Sequence, residues 1–279
     1  MWSVHPTLAG RPLPCATLSL CALLSLLSPT LSRAQAGDPY GAALAESVVA
    51  RDDSPWSMRR NPAAVAARRR ASVGLAVAPS RYRLDGDREA NLVGSYALLE
   101  RVSLGIDGRY LAAGAYVEGR GALLVGYRPT DRLDIGIAVG MTATAIDGYG
   151  STMTPTLDIG VLGRPAQNVT IGAAYANIAR GGIDASTPRR RLSIGAAYRP
   201  DSTLLLSLDV EHRDGEVASG LGLSWSPLSA LELRGGLGAG PTRAGLGVAY
   251  RIAPLRVAYG AEITLPLGLT HLVGVEASW

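Results

Sequence analysis

The chain has 279 residues, 34 of them glycine, with a formal net charge of +4 and a pI of about 9.3. Both cysteines, Cys15 and Cys21, lie within residues 1–36, so a chain that loses this segment can form neither a disulfide nor a thiolate metal site. All 27 basic residues are arginine and phenylalanine is absent; because this bias is typical of a GC-rich genome, we infer no nucleic-acid partner from the basic pI.

Residues 1–36 have the layout of a secretory signal peptide. Arg11 precedes a long apolar run, and Ala34-Gln35-Ala36 is a small-x-small cleavage site. We predict cleavage after this site and a mature chain that begins near Gly37. A lipoprotein signal with Cys21 as the acceptor is the alternative, but Leu20 occupies the preceding position, where a small residue is usual.

The remaining sequence combines high glycine content with a positive mean hydropathy of +0.17. It contains no apolar stretch near the roughly 20 residues that a membrane helix requires. A water-soluble helical protein would not tolerate this much glycine. A transmembrane β-barrel accounts for both features, since half of each strand faces lipid and the other half lines the interior.

Large apolar residues occupy every second position from residue 70 onward, which places them on one face of a strand. One such row is Leu133, Ile135, Ile137 and Val139. About fourteen segments of this kind begin near Arg70, Ala90, Arg101, Glu118, Arg132, Thr152, Asn168, Arg189, Thr203, Glu216, Ala230, Thr242, Pro254 and Thr270. We therefore predict an all-β fold, a transmembrane antiparallel β-barrel of about 14 strands at residues 70–279, and an even count is usual in bacterial barrels.

A proline turn recurs after every second predicted strand from the fourth to the twelfth. The prolines are Pro129, Pro165, Pro200, Pro227 and Pro254. Proline presets the turn dihedral and lacks the N–H that a ladder needs, so it belongs at strand ends. If both termini are periplasmic, these turns lie on the periplasmic side, where barrel turns are short.

The two ends of the predicted barrel carry candidate contacts with the cell envelope. The chain ends on Trp279, and a terminal aromatic residue on the lipid face resembles the signal by which the barrel-assembly machinery accepts its clients; an interface aromatic without this role is the alternative. Arg189-Arg190-Arg191 lies next to an outward loop, where it could meet lipopolysaccharide phosphates or form a solvated strand end.

Charged residues of the strands are expected to point into the lumen, since a charge on the lipid face costs about 2–4 kcal/mol at mid-bilayer. The candidates are Asp107, Arg109, Asp209, Glu211, Glu232, Arg234, Arg256 and Glu262. They could line a solute path, or they could pair with one another and with an N-terminal segment. Glycines on the same faces leave space inside the wall, which either arrangement needs.

The sequence offers no clear site for catalysis or metal binding. His212 and His271 lie far apart on the predicted strands, so spacing assembles neither a metal cluster nor a histidine-based triad. A hydrolase would have to pair Ser207 or Ser219 with His212, and no motif supports that pairing. We predict no catalytic residue, no metal and no cofactor.

Two stretches of the chain resemble outer-membrane proteins of the FadL type, the long-chain fatty-acid transporters, and the PorV/PorQ-like group. The first contains Asp52, Asp53 and Trp56, followed by Asn61-Pro62-Ala63-Ala64, and is similar to the N-terminal pattern of the group. The second, residues 266–274, is similar to the final hairpin of PorV-like chains. The resemblance implies a fourteen-stranded barrel.

The same resemblance implies that residues 37–69 fold into the barrel as a plug that includes Asp52, Asp53, Trp56, Asn61 and Pro62. A fourteen-stranded lumen is wide enough to hold it. The segment lacks period-two alternation, and its Asn-Pro pair is typical of a cap followed by a first-turn proline. The alternative is a helix that lies in the periplasm without entering the barrel.

The implied function is passive uptake of small hydrophobic solutes across the outer membrane. The predicted loops are mostly two to five residues long, whereas FadL-type transporters build an outer substrate groove from long loops. An accessory barrel that binds a partner, such as a secretion-system component, is the alternative function. A soluble periplasmic β-sandwich is a third interpretation, which we disfavour because its strands would carry more charge on the exposed face.

Overall fold

The computed structural model of the chain describes residues 37–67, 71–82, 86–179 and 189–279. The predicted signal peptide, residues 1–36, lies outside the described residues. In chain order the helices are α1 (Pro39–Ala43), the 3-10 helix η1 (Pro55–Arg59) and α2 (Ala64–Ala67). The strands are β1 (Ser72–Ala78), β2 (Arg88–Leu99), β3 (Val102–Ala113), β4 (Tyr116–Thr130), β5 (Leu133–Ile146), β6 (Gly150–Ala166), β7 (Val169–Ala176), β8 (Arg191–Tyr198), β9 (Leu204–Arg213), β10 (Glu216–Leu228), β11 (Leu231–Ala239), β12 (Arg243–Ile252), β13 (Leu255–Thr264) and β14 (Gly268–Ser278).

The strands form one closed antiparallel barrel in which each strand pairs with its neighbour in sequence. β1 closes the ring against β14, with Ser72 opposite Ser278 and Val77 opposite Val273. The predicted fold class is confirmed, and every strand begins within two residues of its predicted start. Closure leaves no strand edge unpaired, which a sheet surrounded by lipid requires.

Side chains alternate between the two faces of the wall as the period-two pattern predicts. In β5, Ile137 and Val139 are 47 % and 60 % exposed on the outside, whereas Asp134 and Ala138 are buried on the inside. A water-soluble protein rarely exposes apolar residues over so large an area. The outer surface is therefore suited to contact with the hydrocarbon core of a membrane. Among the described helices, none has the length and hydropathy of a membrane-spanning helix.

Exposed aromatic residues mark the end of the barrel at which β1 begins and β14 ends. We call them the aromatic collar: Tyr96, Tyr127, Tyr198, Trp225, Tyr250 and Trp279. The first five lie within three residues of the ends of even-numbered strands. Tyrosine and tryptophan concentrate at membrane–water interfaces, so the collar places one interface at this end.

The recurring prolines lie partly inside the strands, which differs from the prediction that all five occupy turns. Pro129, Pro165 and Pro227 lie in the last residues of β4, β6 and β10, where the ladder register shifts. Such a bulge leaves one residue without a ladder partner, so the missing N–H of proline costs nothing there. Pro200 and Pro254 lie in the connections, as predicted.

Most connections have two or three residues, as the sequence predicts. The two longest, residues 79–87 and 177–190, lie at the end of the barrel opposite the aromatic collar. We call this end the far mouth. Parts of both connections, residues 83–85 and 180–188, fall outside the described ranges.

Candidate functional site

Residues 37–67 lie inside the barrel, and we call them the plug. The α1 helix contacts β11 to β14, and α2 contacts β3 to β5, so the plug reaches opposite sides of the wall. Its side chains from Tyr40 to Ala50 are almost completely buried. The boundary of the predicted plug at Arg69 falls outside the described residues and stays a prediction.

Glycines on the inner wall make room for the plug backbone. A Cβ on Gly136 would lie 2.3 Å from the carbonyl oxygen of Pro62, and one on Gly260 would lie 2.4 Å from that of Pro39. A Cβ on Gly236 would lie 2.2 Å from the carbonyl carbon of Leu44. Only glycine allows this approach of backbone to sheet.

Asn61, predicted as part of the plug motif, joins three parts of the structure. Its Nδ2 donates to the carbonyl oxygens of Val49, 2.9 Å away in the plug, and Val161, 3.0 Å away in β6. Its Oδ1 accepts from the backbone N–H of Ala63 at 3.1 Å, which caps the turn before α2. Pro62 follows with its carbonyl group against the inner wall.

The acidic pair of the motif binds arginines of two different origins. Asp52 pairs with Arg164 at the end of β6, with 2.7 Å between Oδ2 and Nη2. Asp53 accepts from Tyr40 and pairs with Arg51 of the plug at 3.1 Å. Burial raises the pKa of Asp53, but the Arg51 guanidinium outweighs this effect and holds it well below its ordinary value.

Arg51 is the most heavily bonded charged side chain of the plug, and its side chain is fully buried. Besides Asp53 it donates to Tyr40 at 2.6 Å and to the Ser224 hydroxyl of β10 at 2.7 Å. Ser207 of β9 lies 3.4 Å from its Nη1. No motif in the sequence indicated this role of Arg51.

The predicted lumen residues lie on the inner side of the wall, and three of them hold the plug. Asp107 pairs with Arg59 at 2.9 Å, and Asp209 accepts from the backbone N–H of Val49 at 2.7 Å. Glu211 pairs with Arg60 at 3.2 Å. Arg59 and Arg60 form a second group of plug residues that bind the wall. They are not among the residues predicted from the sequence, although two adjacent arginines in a segment predicted to enter the lumen indicate ion pairs with the wall.

The other five predicted lumen residues form their ion pairs and hydrogen bonds with wall residues, and Arg234 also lies over the Tyr40 ring of the plug, 4.7 Å from its centroid. Arg109 pairs with Glu89 at 2.7 Å, and Glu262 accepts from Thr264 at 2.9 Å. Glu232 bridges Arg234, at 2.7 Å, and Arg256. The structure thus brings all eight into contacts with the plug or with the wall, and any role toward a solute stays a prediction.

One part of the lumen is apolar. Trp56, Met58 and Val65 of the plug belong to one buried cluster with inner residues of β1, β2, β4, β5 and β6. The wall members of this cluster, which we call the apolar seam, are Ala76, Val93, Leu124, Ala138 and Leu162. The inner faces of β2 to β5 also carry ion pairs, such as Arg109 with Glu89 and Arg128 with Asp134, so the seam is an apolar strip among charged groups.

A cleft lies beside the plug. It has a volume of about 270 Å³, is partly open to solvent, and lies between residues 45–49 and the inner faces of β8, β9, β10 and β12. Its lining includes the charged side chains Glu46, Asp209, Glu211 and Arg243. The cleft is therefore suited to water and polar groups.

The structure separates one of the two serines of the hydrolase alternative from His212. Ser207 is buried on the inner face of β9, whereas His212 is exposed on the outer face, so the two cannot form a nucleophile–base pair. Ser219, opposite Val210 of β9, lies on the same outer face as His212, but the contacts of the described residues include no hydrogen bond between them. His271 is also on the outer face, where its Nδ1 lies 2.6 Å from the Tyr259 hydroxyl. Within the described ranges, no group of three or more histidine or carboxylate side chains is arranged to hold a metal ion.

The sequence matches no protein-family model and no curated protein. Solved structures do match. The toluene transporter TbuX of Ralstonia pickettii has a TM-score of 0.70 and 14% identity, with 88% of this chain and 98% of that chain covered. The CymD monoaromatic hydrocarbon channel gives 0.70, 11%, 88% and 98%, and a FadL homologue of Pseudomonas aeruginosa gives 0.64, 12%, 87% and 98%.

At these identities the likeness shows the fold. It extends over nearly the whole length of each solved chain. The PorV/PorQ-like part of the predicted resemblance finds no counterpart among these structures and stays a prediction. The FadL-type part is confirmed, because this chain folds as the same fourteen-stranded barrel as a FadL homologue and two hydrocarbon channels.

Proposed function

We propose that the protein is a bacterial outer-membrane channel for the passive uptake of small hydrophobic solutes, and not an enzyme. The observation that carries the proposal is the fold that it shares with a toluene transporter and a monoaromatic hydrocarbon channel over 98% of each of those chains. The closed barrel with its apolar outer surface supports a place in the outer membrane.

The apolar seam supports a hydrophobic solute. A hydrophobic solute that moved between the plug and β1 to β6 would separate Trp56, Met58 and Val65 from the wall. Its own apolar surface would replace the contacts that are lost, so the cost in free energy would be small. Away from the seam it would have to separate desolvated ion pairs such as Arg60 with Glu211 or Arg109 with Glu89. We therefore place the path along the seam itself and assign the charged residues to holding the plug and the wall.

Uptake by intact cells tests this proposal, because a lipopolysaccharide outer leaflet slows the entry of toluene through the membrane itself. We expect cells that carry the protein to take up labelled toluene faster than cells without it, with no change for a polar solute of similar size. Val93→Thr adds a hydroxyl to the seam at nearly constant volume and should slow uptake severalfold. Val77→Thr, on the outer face of β1, is the matched control.

The proposal would be abandoned if neither the intact protein nor a chain that lacks residues 37–69 accelerated toluene uptake. That result would favour the alternative function, an accessory barrel that binds a partner. The plug inside the lumen and the short connections are consistent with this alternative. A stoichiometric partner that copurifies from native membranes would then identify the function.

The remaining envelope contacts are part of the same proposal. We propose that a cleaved signal peptide directs export, that the barrel-assembly machinery recognises Trp279, and that outer-membrane lipid surrounds the wall. Arg189 and Arg190 are exposed at the far mouth and suit lipopolysaccharide phosphates, although Arg189 also lies 4.0 Å from both Asp214 and Glu216. Arg191 differs from this expectation, since it is buried in the lumen near Glu211.

A further inference from the structure

The first described residue of the plug, Gly37, lies deep in the barrel near the far mouth. A Cβ on Gly37 would lie 2.6 Å from Arg59 Nη1, 3.0 Å from Glu89 Oε1 and 3.3 Å from Asn91 Oδ1. Glu89 and Asn91 belong to the first residues of β2, which begins at Arg88 in the far mouth and ends at the aromatic collar. Gly37 therefore lies among buried polar and charged groups of both signs, away from the aromatic collar.

The side-chain oxygen of Asn91 is a hydrogen-bond acceptor that has no donor among the described residues. Asn91 is 4 % exposed, and its Nδ2 donates to Glu89 Oε1 at 3.3 Å. Its Oδ1 has no hydrogen-bond partner among the described residues. Leaving such a group unsatisfied costs about 1–3 kcal/mol, so a donor beside Gly37 would stabilise the folded state.

Charged side chains of both signs surround this point. Asp38, Glu89, Asp107 and Glu118 pair with Arg59, Arg81, Arg109 and Arg120. Arg120 also pairs with Asp158 at 2.7 Å. An ammonium group at Gly37 would be a further cation beside the Glu89 carboxylate.

We propose that cleavage after Ala36 creates a buried ion-pair site in which the new α-ammonium group of Gly37 is bound by the Glu89 carboxylate and the Asn91 amide oxygen. An endopeptidase hydrolyses the Ala36–Gly37 peptide bond, and water supplies the hydroxyl of the leader's new carboxyl group and a proton to the Gly37 nitrogen. The amine then takes up a second proton to become the ammonium. This site attaches the start of the plug to β2, so processing of the leader completes the plug. The proposal rests on the predicted cleavage site and is independent of the transport function.

The composition of the chain makes this site accessible to a direct experiment. The sequence contains no lysine, so the α-amino group is the only primary amine of the processed protein. A water-soluble N-hydroxysuccinimide acetate therefore adds one acetyl group, at one place, and mass spectrometry reads both the first residue and the extent of reaction. The protein is purified from outer membranes in detergent, and lipids that carry amines are removed.

We expect the processed chain to begin at Gly37, and its amine to react at least tenfold more slowly in the folded barrel than after boiling. Asn91→Leu and Glu89→Gln should each remove much of this protection. Glu100→Gln, in the exposed β2–β3 turn, is the matched control and should leave it unchanged. The mobility of unboiled samples on a gel establishes that each variant is folded.

Two results would overturn the proposal. One is a processed chain that begins at a residue other than Gly37. The other is an amine in the folded wild-type protein that reacts as fast as in the boiled sample. Neither result bears on toluene uptake, so failure here is distinguishable from failure of the proposed function.

Discussion

Replacing Gly236 by valine is expected to unseat the plug. A Cβ at this position of β11 would lie 2.2 Å and 2.5 Å from the backbone atoms C of Leu44 and N of Ala45, which cannot turn away as a side chain could. Overpacking of this kind costs about 1–3 kcal/mol. It should reduce the population of the seated plug by roughly 5- to 150-fold.

The neighbouring residue supplies a control with the same chemistry. Gly235 is on the outer face of β11, where a Cβ would meet only a Leu246 methyl carbon at 3.8 Å. Protease cleavage of residues 37–67 and ion conductance across planar bilayers should both rise for Gly236→Val and stay at the wild-type level for Gly235→Val. Equal behaviour of the two variants would show that the plug does not occupy this part of the wall.

Replacing Arg51 by alanine is expected to cause the second large effect. The change removes a fully buried guanidinium and leaves Asp53, whose side chain is 21 % exposed, without its cation. Breaking a buried ion pair by removing one partner costs about 3–5 kcal/mol, and the partial exposure of Asp53 favours the lower end. Urea unfolding, followed by the loss of the fast-migrating band in unboiled samples, measures the difference.

Two comparisons distinguish the loss of the Arg51–Asp53 ion pair from a general effect of losing a charge. Arg189→Ala removes an arginine that is 54 % exposed and 4.0 Å from its partners, so it should cost no more than about 1 kcal/mol. Arg51→Ala combined with Asp53→Ala should recover part of the loss, because no carboxylate is then left unpaired. A full loss in the double variant would mean that Arg51 acts through its serine and tyrosine contacts alone.

The same pair has a pH dependence of known sign. Arg51 lowers the pKa of Asp53 in the folded state, so the pair contributes stability above the ordinary aspartate pKa of about 3.9. That contribution decreases as the pH falls below this value, because the unfolded state takes up a proton there, and it is lost completely only below the lowered pKa of Asp53 in the folded state. The difference between wild type and Arg51→Ala should therefore shrink as urea unfolding is repeated at lower pH.

The barrel was predictable from the sequence because its pattern is local. A row such as Ile135, Ile137 and Val139 shows the lipid face directly, and closure of an even number of such rows needs no further information. The position of Pro129 relative to its turn was not predictable, because a bulge shifts the ladder without changing the alternation that precedes it.

The contacts of the plug were only partly predictable. Asn61 and Pro62 stood out as a motif, but nothing in the order of residues indicates that Asn61 bonds to β6 or that Gly236 faces Leu44. Such pairs join segments 100 to almost 200 residues apart, and any inner-wall glycine could have faced any part of the plug. Arg51 lacked a signal of its own, since its partners Asp53, Tyr40 and Ser224 come from three parts of the chain.

An engineered disulfide between the plug and the wall tests the central claim, that residues 37–67 fill the lumen. A Cβ on Gly220 of β10 would lie 3.4 Å from the Cβ of Ser47, close to disulfide geometry, once the Ala45 carbonyl at 2.9 Å shifts by a few tenths of an ångström. The control pairs Ser47→Cys with Gly121→Cys, on the outer face of β4, where a Cβ would meet open space. Both natural cysteines precede residue 37 and lie in the predicted leader.

We expect Ser47→Cys/Gly220→Cys to form a disulfide in nearly every molecule isolated from outer membranes, seen as a reducible mobility shift after boiling, and the control pair to form none. Free thiols in the Ser47/Gly220 pair that react with a water-soluble maleimide as fast in the folded protein as after boiling would contradict the account, since the plug would then lie outside the barrel.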